Sequence, residues 1–196
     1  MSRTRLLFAS PLYEAPLKVD LAALARTVRS LAEDDEAGQR WAEEKDYWGY
    51  TSYASLDDLP TRDPAIGDLV PLLEKHARAF AKELGWDHRP TLDHLWVNLM
   101  DPGAHHSAHI HPHSVLSGTL YVDIPEGAGA IRFEDPRLPM MMAAPLREED
   151  APEHLQPFVT LRPRAGTLLL WESFLRHEVL PNHGETERLS ISFNFA

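Results

Sequence analysis

The sequence predicts a mainly β fold with α-helices ahead of it, arranged as an antiparallel sandwich or barrel. Three observations predict this. Apolar residues recur at helical spacing up to about residue 90. From about residue 91 the apolar period becomes two. Gly- and Pro-rich turn signals then separate one short run from the next. No internal repeat or linker divides the chain. One domain is expected over residues 1–196, with a helical part at about 1–90 and a β core at about 91–196.

Asp20 is a good N-cap, and Leu21, Leu24, Ala25, Val28, Leu31 and Ala32 follow at helical spacing, with Gly38 closing the helix. The stretch "RWAEEKDYWGYTSYASLDDLPT" is aromatic and irregular and reads as a long loop or short extended pieces. A second helix starts at Asp63-Pro64 and buries Ile66, Leu69, Val70, Leu73, Ala77, Phe80, Ala81 and Leu84, stopping at Gly85. Pro71 should kink that helix or delay its start. Strands are expected at "LDHLWVNLM", "SGTLYVDI", "AIRFE", "PFVTLRP", "GTLLLW" and "RLSISFNF". The segment at 138–157 has little periodicity, and loops of that length are usually lids or disordered.

Two strands alternate cleanly. Leu189, Ile191, Phe193 and Phe195 lie opposite Arg188, Ser190, Ser192 and Asn194. Leu120, Val122 and Ile124 lie opposite Ser117, Thr119 and Tyr121. Either the polar faces meet solvent, or they line a polar interior while the apolar faces pack under the helices. Two helices need a surface to cover, which favours the second arrangement.

Composition narrows the chemistry. The chain of 196 residues carries a net charge of −11, which repels phosphate backbones and argues against nucleic acid as a partner. It has no cysteine, so a metal would be held by His, Asp or Glu. No run approaches a membrane span, and the N-terminal residues lack the long apolar region of a signal peptide. A soluble, cytoplasmic protein is expected.

Five of the 11 histidines fall within "HHSAHIHPH" at 105–113. Two histidines at i and i+2 on a strand point the same way, as His109 and His111 would. Pro112 should bend the chain between His111 and His113, so the first pair is preferred. His177, just beyond "GTLLLW", is the best third ligand, and three facial ligands leave positions open for substrate. His105, His106 and His113 read as neighbours of the ligands rather than ligands. Arg188 and Ser190 form Arg-x-Ser on the polar face of the last strand, a two-pronged donor with a hydroxyl beside it, suited to a carboxylate. The competing reading pairs Arg188 with Glu185 or Glu187 on the surface.

The runs "WVNLMDPGAHHSAHIHPHSVLSGTLYVDIPEGAGAIRFEDPR", "GTLLLWESFLRHEVLPN" and "RLSISFNF", with the opening "LLFASPLYEAPL", resemble the 2-oxoglutarate- and Fe(II)-dependent oxygenases of bacteria and marine phages. The resemblance spans essentially the whole chain. It implies a double-stranded β-helix with helices on one side. It implies Fe(II), 2-oxoglutarate and O2, with succinate and CO2 released as an unidentified small-molecule or peptide substrate is hydroxylated. It implies metal ligands at His109, His111 and His177, and a grip on 2-oxoglutarate from Arg188 and Ser190, with Tyr121 and Asn98 as weaker contacts. The Asp135-Pro136-Arg137 turn and Met141 are expected near the substrate entrance. A homodimer is compatible with this reading.

One departure stands out. The wider superfamily uses two histidines and one carboxylate, whereas here the second position is His111. Asp123, Asp135 or Glu172 could supply a carboxylate instead, or water could fill the third place. Gly103 followed by His109-x-His111 also matches the opening of a cupin metal motif, but residues 112–117 contain no acid where that motif needs one. A metal- or ligand-binding module without catalysis is the third reading.

Overall fold

A computed structural model describes residues 2–196. Its β core alternates between two facing sheets. Strands β3 (Leu92–Met100), β5 (Leu116–Asp123), β8 (Thr167–Glu172) and β10 (Arg188–Phe195) form one. Strands β4 (His106–His109), β6 (Ile131–Glu134), β7 (Phe158–Leu161) and β9 (His177–Val179) form the other. Strands β1 (Leu12–Pro16) and β2 (Gly49–Thr51) extend the larger sheet at its two edges, giving the order β1-β8-β5-β10-β3-β2. The smaller sheet runs β4-β9-β6-β7. Every pairing is antiparallel. The chain crosses between sheets at nearly every connection, which makes an eight-stranded jelly roll, the antiparallel sandwich read from the strand pattern and the double-stranded β-helix implied by the resemblance.

The expected strands β3 and β10 match the structure residue for residue. Their apolar faces turn outward from the cleft between the sheets and meet the helices. Ile191, Phe193 and Phe195 are fully buried against Leu24 and Val28 of α1 (Leu21–Asp34) and Leu73, Ala77 and Phe80 of α5 (Val70–Glu83). The polar faces therefore line the interior between the sheets. Gly118 marks how closely these layers approach: a Cβ there would sit 2.4 Å from the Phe193 ring and 2.6 Å from the Leu169 carbonyl.

The helical half differs from expectation in two places. Asp20 caps α1 as expected, accepting from the Ala23 amide at 2.9 Å. The helix ends at Asp34, though, and a separate α2 (Glu36–Glu44) begins after Asp35. Asp35 serves both ends: its N–H donates to the Leu31 carbonyl, and its carboxylate accepts from the Gly38 amide. Gly38 is thus inside a helix, not a stop. A Cβ on it would come within 2.4 Å of Asp35 Oδ2 and 2.6 Å of the Tyr50 ring, so glycine is there to let Tyr50 donate to Asp35. The stretch read as a loop or short extended pieces does hold the short strand β2, but it also includes the second half of α2 and most of the short α3 (Leu59–Arg62). Of the two effects expected of Pro71, the structure shows the delay: α4 (Pro64–Gly67) stops before it, and Pro71 occupies the first turn of α5.

One cross-layer tie is ionic. Arg29 of α1 donates to Glu187 and to Asp123, both at 2.8 Å, joining the helix layer to the ends of β10 and β5. Among the described residues no helix is long and apolar enough to cross a membrane.

Candidate metal and co-substrate site

The small sheet supplies the histidines. Antiparallel pairing of β4 with β9 sets His109 opposite His177. Contrary to the sequence reading, His111 is not on a strand: β4 ends at His109. Its ring still returns to the site, because its backbone N–H donates to the Ser173 carbonyl at 3.1 Å and ties the loop to the turn before β9. The chain then turns away through Pro112 and His113, whose φ is 70°. His105 and His113 are exposed, and the His106 ring lies 4.3 Å from that of His109.

Nitrogens of His109, His111 and His177 all lie within 4.8 Å of one another. His111 and His177 face each other through Nε2 at 3.4 Å. Two of the rings are aimed by their own backbone. The Nδ1 of His177 meets the Leu175 carbonyl at 2.9 Å, and that of His109 meets the Ser107 carbonyl at 2.7 Å. Carbonyls only accept, so the proton sits on Nδ1 and each Nε2 presents a lone pair. Burial, helped by neighbouring imidazoles, lowers His177 to about 3 and His111 to about 4, keeping both neutral. Neutral imidazoles converging through Nε2 are the protonation state a divalent metal requires.

This has a measurable consequence. In the unfolded chain these histidines titrate near 6.5, so between that value and the lowered folded values the unfolded state binds more protons. Stability of the metal-free protein is expected to fall as pH drops below about 6.5 and to keep falling to about 4. Thermal melts across that range check it. A flat profile would mean the histidines are not held neutral.

Across from the histidines, β10 and β5 supply the other half of the site. Arg188 is 3% exposed. Its guanidinium donates to Ser190 Oγ at 3.2 Å and lies 5.1 Å from the centre of the Tyr121 ring. Among the described residues no carboxylate pairs with it; Glu187 is taken by Arg29, which overturns the surface-pair reading. Among the described residues, three buried donors have no partner: Arg188 Nε, Tyr121 Oη and Trp171 Nε1. A buried unpaired cation flanked by unsatisfied donors is costly unless an anion completes it. A carboxylate-bearing co-substrate fits that need, and the histidines opposite fit a metal.

Asn98 also lines the cavity, but its side chain is engaged, accepting from Thr51 at 2.9 Å and donating to Ser192 at 3.2 Å. Arg137 and Met141 are not brought to the cavity lining; Arg137 is held by Asp135 at 2.7 Å. The alternative carboxylates are likewise elsewhere: Asp123 pairs with Arg29, Asp135 with Arg137, and Glu172 is outside the histidine group. Trp171 and Trp96 escaped the sequence reading. Trp171 packs edge-on against His177 at 4.7 Å, and Trp96 lies 5.8 Å from His111. For Trp96 the signal was present, since it shares strand parity with Asn98. "GTLLLW" is apolar on both faces and gave no contrast to mark the cavity side.

Comparison with known proteins agrees with this geometry. Residues 94–194, from β3 through β10, match a family described as "Putative 2OG-Fe(II) oxygenase". No curated protein matches the sequence. Among solved structures, the non-heme alpha ketoglutarate dependent epimerase SnoN from nogalamycin biosynthesis is 18% identical, with a TM-score of 0.65 over 95% of this chain and 78% of its own. A Pseudomonas putida prolyl-4-hydroxylase is 20% identical, with a TM-score of 0.56 over 94% of this chain and 86% of its own. A 2OG-Fe(II) oxygenase family oxidoreductase from Burkholderia pseudomallei is 16% identical, with a TM-score of 0.50 over 68% of this chain; this chain spans 58% of that protein's length. These likenesses establish the fold, and the family match sets the cupin reading aside. The chain belongs to the 2-oxoglutarate- and Fe(II)-dependent oxygenases.

Proposed function

We propose that this oxygenase hydroxylates a C–H bond of a small molecule or peptide, with Fe(II) on His109, His111 and His177 and 2-oxoglutarate on Arg188, Ser190 and Tyr121. The observation that carries the assignment is Arg188, a buried cation with no carboxylate partner among the described residues, facing the imidazoles of His109, His111 and His177 across the cleft. Bound together, Fe(II), 2-oxoglutarate and O2 supply an oxidation in which the co-substrate leaves as succinate and CO2.

The residues' tasks follow from their positions. The carbonyls of Leu175 and Ser107 hold two imidazoles in the ligating tautomer. Arg188 binds the distal carboxylate, with Ser190 steadying the guanidinium. Tyr121, whose hydroxyl burial pushes up to about 12, stays protonated and donates. Met100 and the Tyr121 ring pack on the guanidinium and keep water from it. A net charge of −11 disfavours polyanionic substrates.

Purified protein supplied with Fe(II), ascorbate, O2 and 2-oxoglutarate, but no further substrate, tests this. Slow succinate formation and calorimetric binding of 2-oxoglutarate are expected. Failure of both overturns the assignment.

A further inference from the structure

Beyond the two halves of the site, a connected set of rings that the co-substrate chemistry does not use leads outward from Trp96 in the cleft wall. Trp96, 6% exposed, lies 5.8 Å from the His111 ring on its inner side. On its outer side it meets Tyr53 edge-on at 5.1 Å. His94 closes the triangle, 5.2 Å from each. Tyr53 is 49% exposed, so the series runs without a gap from a histidine of the metal group to solvent. Three rings packed this closely leave no space among them for a ligand. Indole and phenol are the two side chains most readily oxidised by one electron, and they are the first and last members here. The other tryptophan at the site offers no such route: Trp171 is 3% exposed and its next ring is Phe133, which resists oxidation.

We infer that Trp96 and Tyr53 form a protective electron-donating relay, which draws an unspent oxidising equivalent from the iron site to the surface. The inference rests on the oxygenase reading above, since O2-driven turnover supplies the oxidant. Trp96 gives one electron to the oxidised centre. Tyr53 then gives one electron to Trp96 and releases its phenolic proton to water. A small one-electron reductant in solution, such as ascorbate, returns a hydrogen atom to Tyr53. The net result is reduction of the centre by one electron and oxidation of one reductant molecule, with no side chain altered.

Tyr53→Phe separates this from a merely structural or substrate-stacking role, because it keeps the ring and removes the oxidisable hydroxyl. Wild-type and variant protein are mixed with Fe(II), 2-oxoglutarate and O2 without further substrate. Freeze-quenched samples are examined by electron paramagnetic resonance, the digested chain by mass spectrometry, and succinate is measured in parallel. The wild type should give a tyrosyl radical that Tyr53→Phe lacks. The variant should accumulate oxidised Trp96 or oxidised metal-site histidines several-fold faster, at an unchanged initial rate of succinate formation. Trp96→Phe should also lose the radical while Tyr53 is intact. Succinate formed with the same radical and the same oxidation pattern in wild type and Tyr53→Phe would overturn the relay alone. No succinate in any sample would overturn the relay and the oxygenase assignment together.

Discussion

His111→Ala is expected to abolish Fe(II) binding, while His113→Ala, two residues on, leaves it intact. The two histidines are similar in sequence context and opposite in placement. His111 is drawn back by its amide hydrogen bond to Ser173 until its Nε2 lies 3.4 Å from that of His177. His113 sits past the turn and faces solvent. Losing an outer partner of a ligand typically weakens metal binding about 10- to 100-fold, and losing a ligand should exceed that. Metal content after dialysis, with thermal melts to confirm folding, is the measurement. His111→Asp gives a sharper comparison: it installs the carboxylate of the commoner two-histidine site and is expected to retain iron. Full iron content in His111→Ala would show that His109 and His177 suffice with water in the third place.

Arg188→Met should move two measurements in opposite directions. Methionine fills a similar volume, and Met100 already packs there. Affinity for 2-oxoglutarate should fall at least about 100-fold, because breaking a buried charge pair costs about 3–5 kcal/mol. The ligand-free protein should become more stable by about 1–4 kcal/mol, the range seen when buried ions give way to apolar groups. The reasoning is that ligand-free Arg188 is a desolvated cation with no carboxylate partner. Calorimetry with 2-oxoglutarate and thermal melts without it provide the two readings. A destabilised variant that still binds 2-oxoglutarate normally would make Arg188 a structural residue and not the clamp.

The residues most legible in the sequence were those where burial and chemistry alternate. Along β10, Leu189, Ile191, Phe193 and Phe195 contrast with Arg188, Ser190, Ser192 and Asn194, and both the strand and its cavity face followed from that contrast. The histidine group was legible for a weaker reason. Spacing suggested His109 and His111 on one strand face, but the structure joins them through a strand end and a tethered loop. Strands β4 and β9 are four and three residues long and carry the site histidines, so they lack an apolar pattern to detect. The division at Asp35 was hidden for a different reason: it depends on Tyr50 and Ser55, distant partners that no local window includes. Trp171 was hidden because a strand buried on both faces has no polar side to reveal which way it looks.

Arg29 has a consequence for ligand selection. Glu187 and Asp123 are the acids at the ends of the inner cation's strand and of its neighbour. A single guanidinium on the far side of the sheet engages both. The helical layer thus acts as an electrostatic anchor as well as a cover: two acids beside the clamp strands are neutralised on the helical side, while the inner guanidinium keeps no carboxylate partner among the described residues.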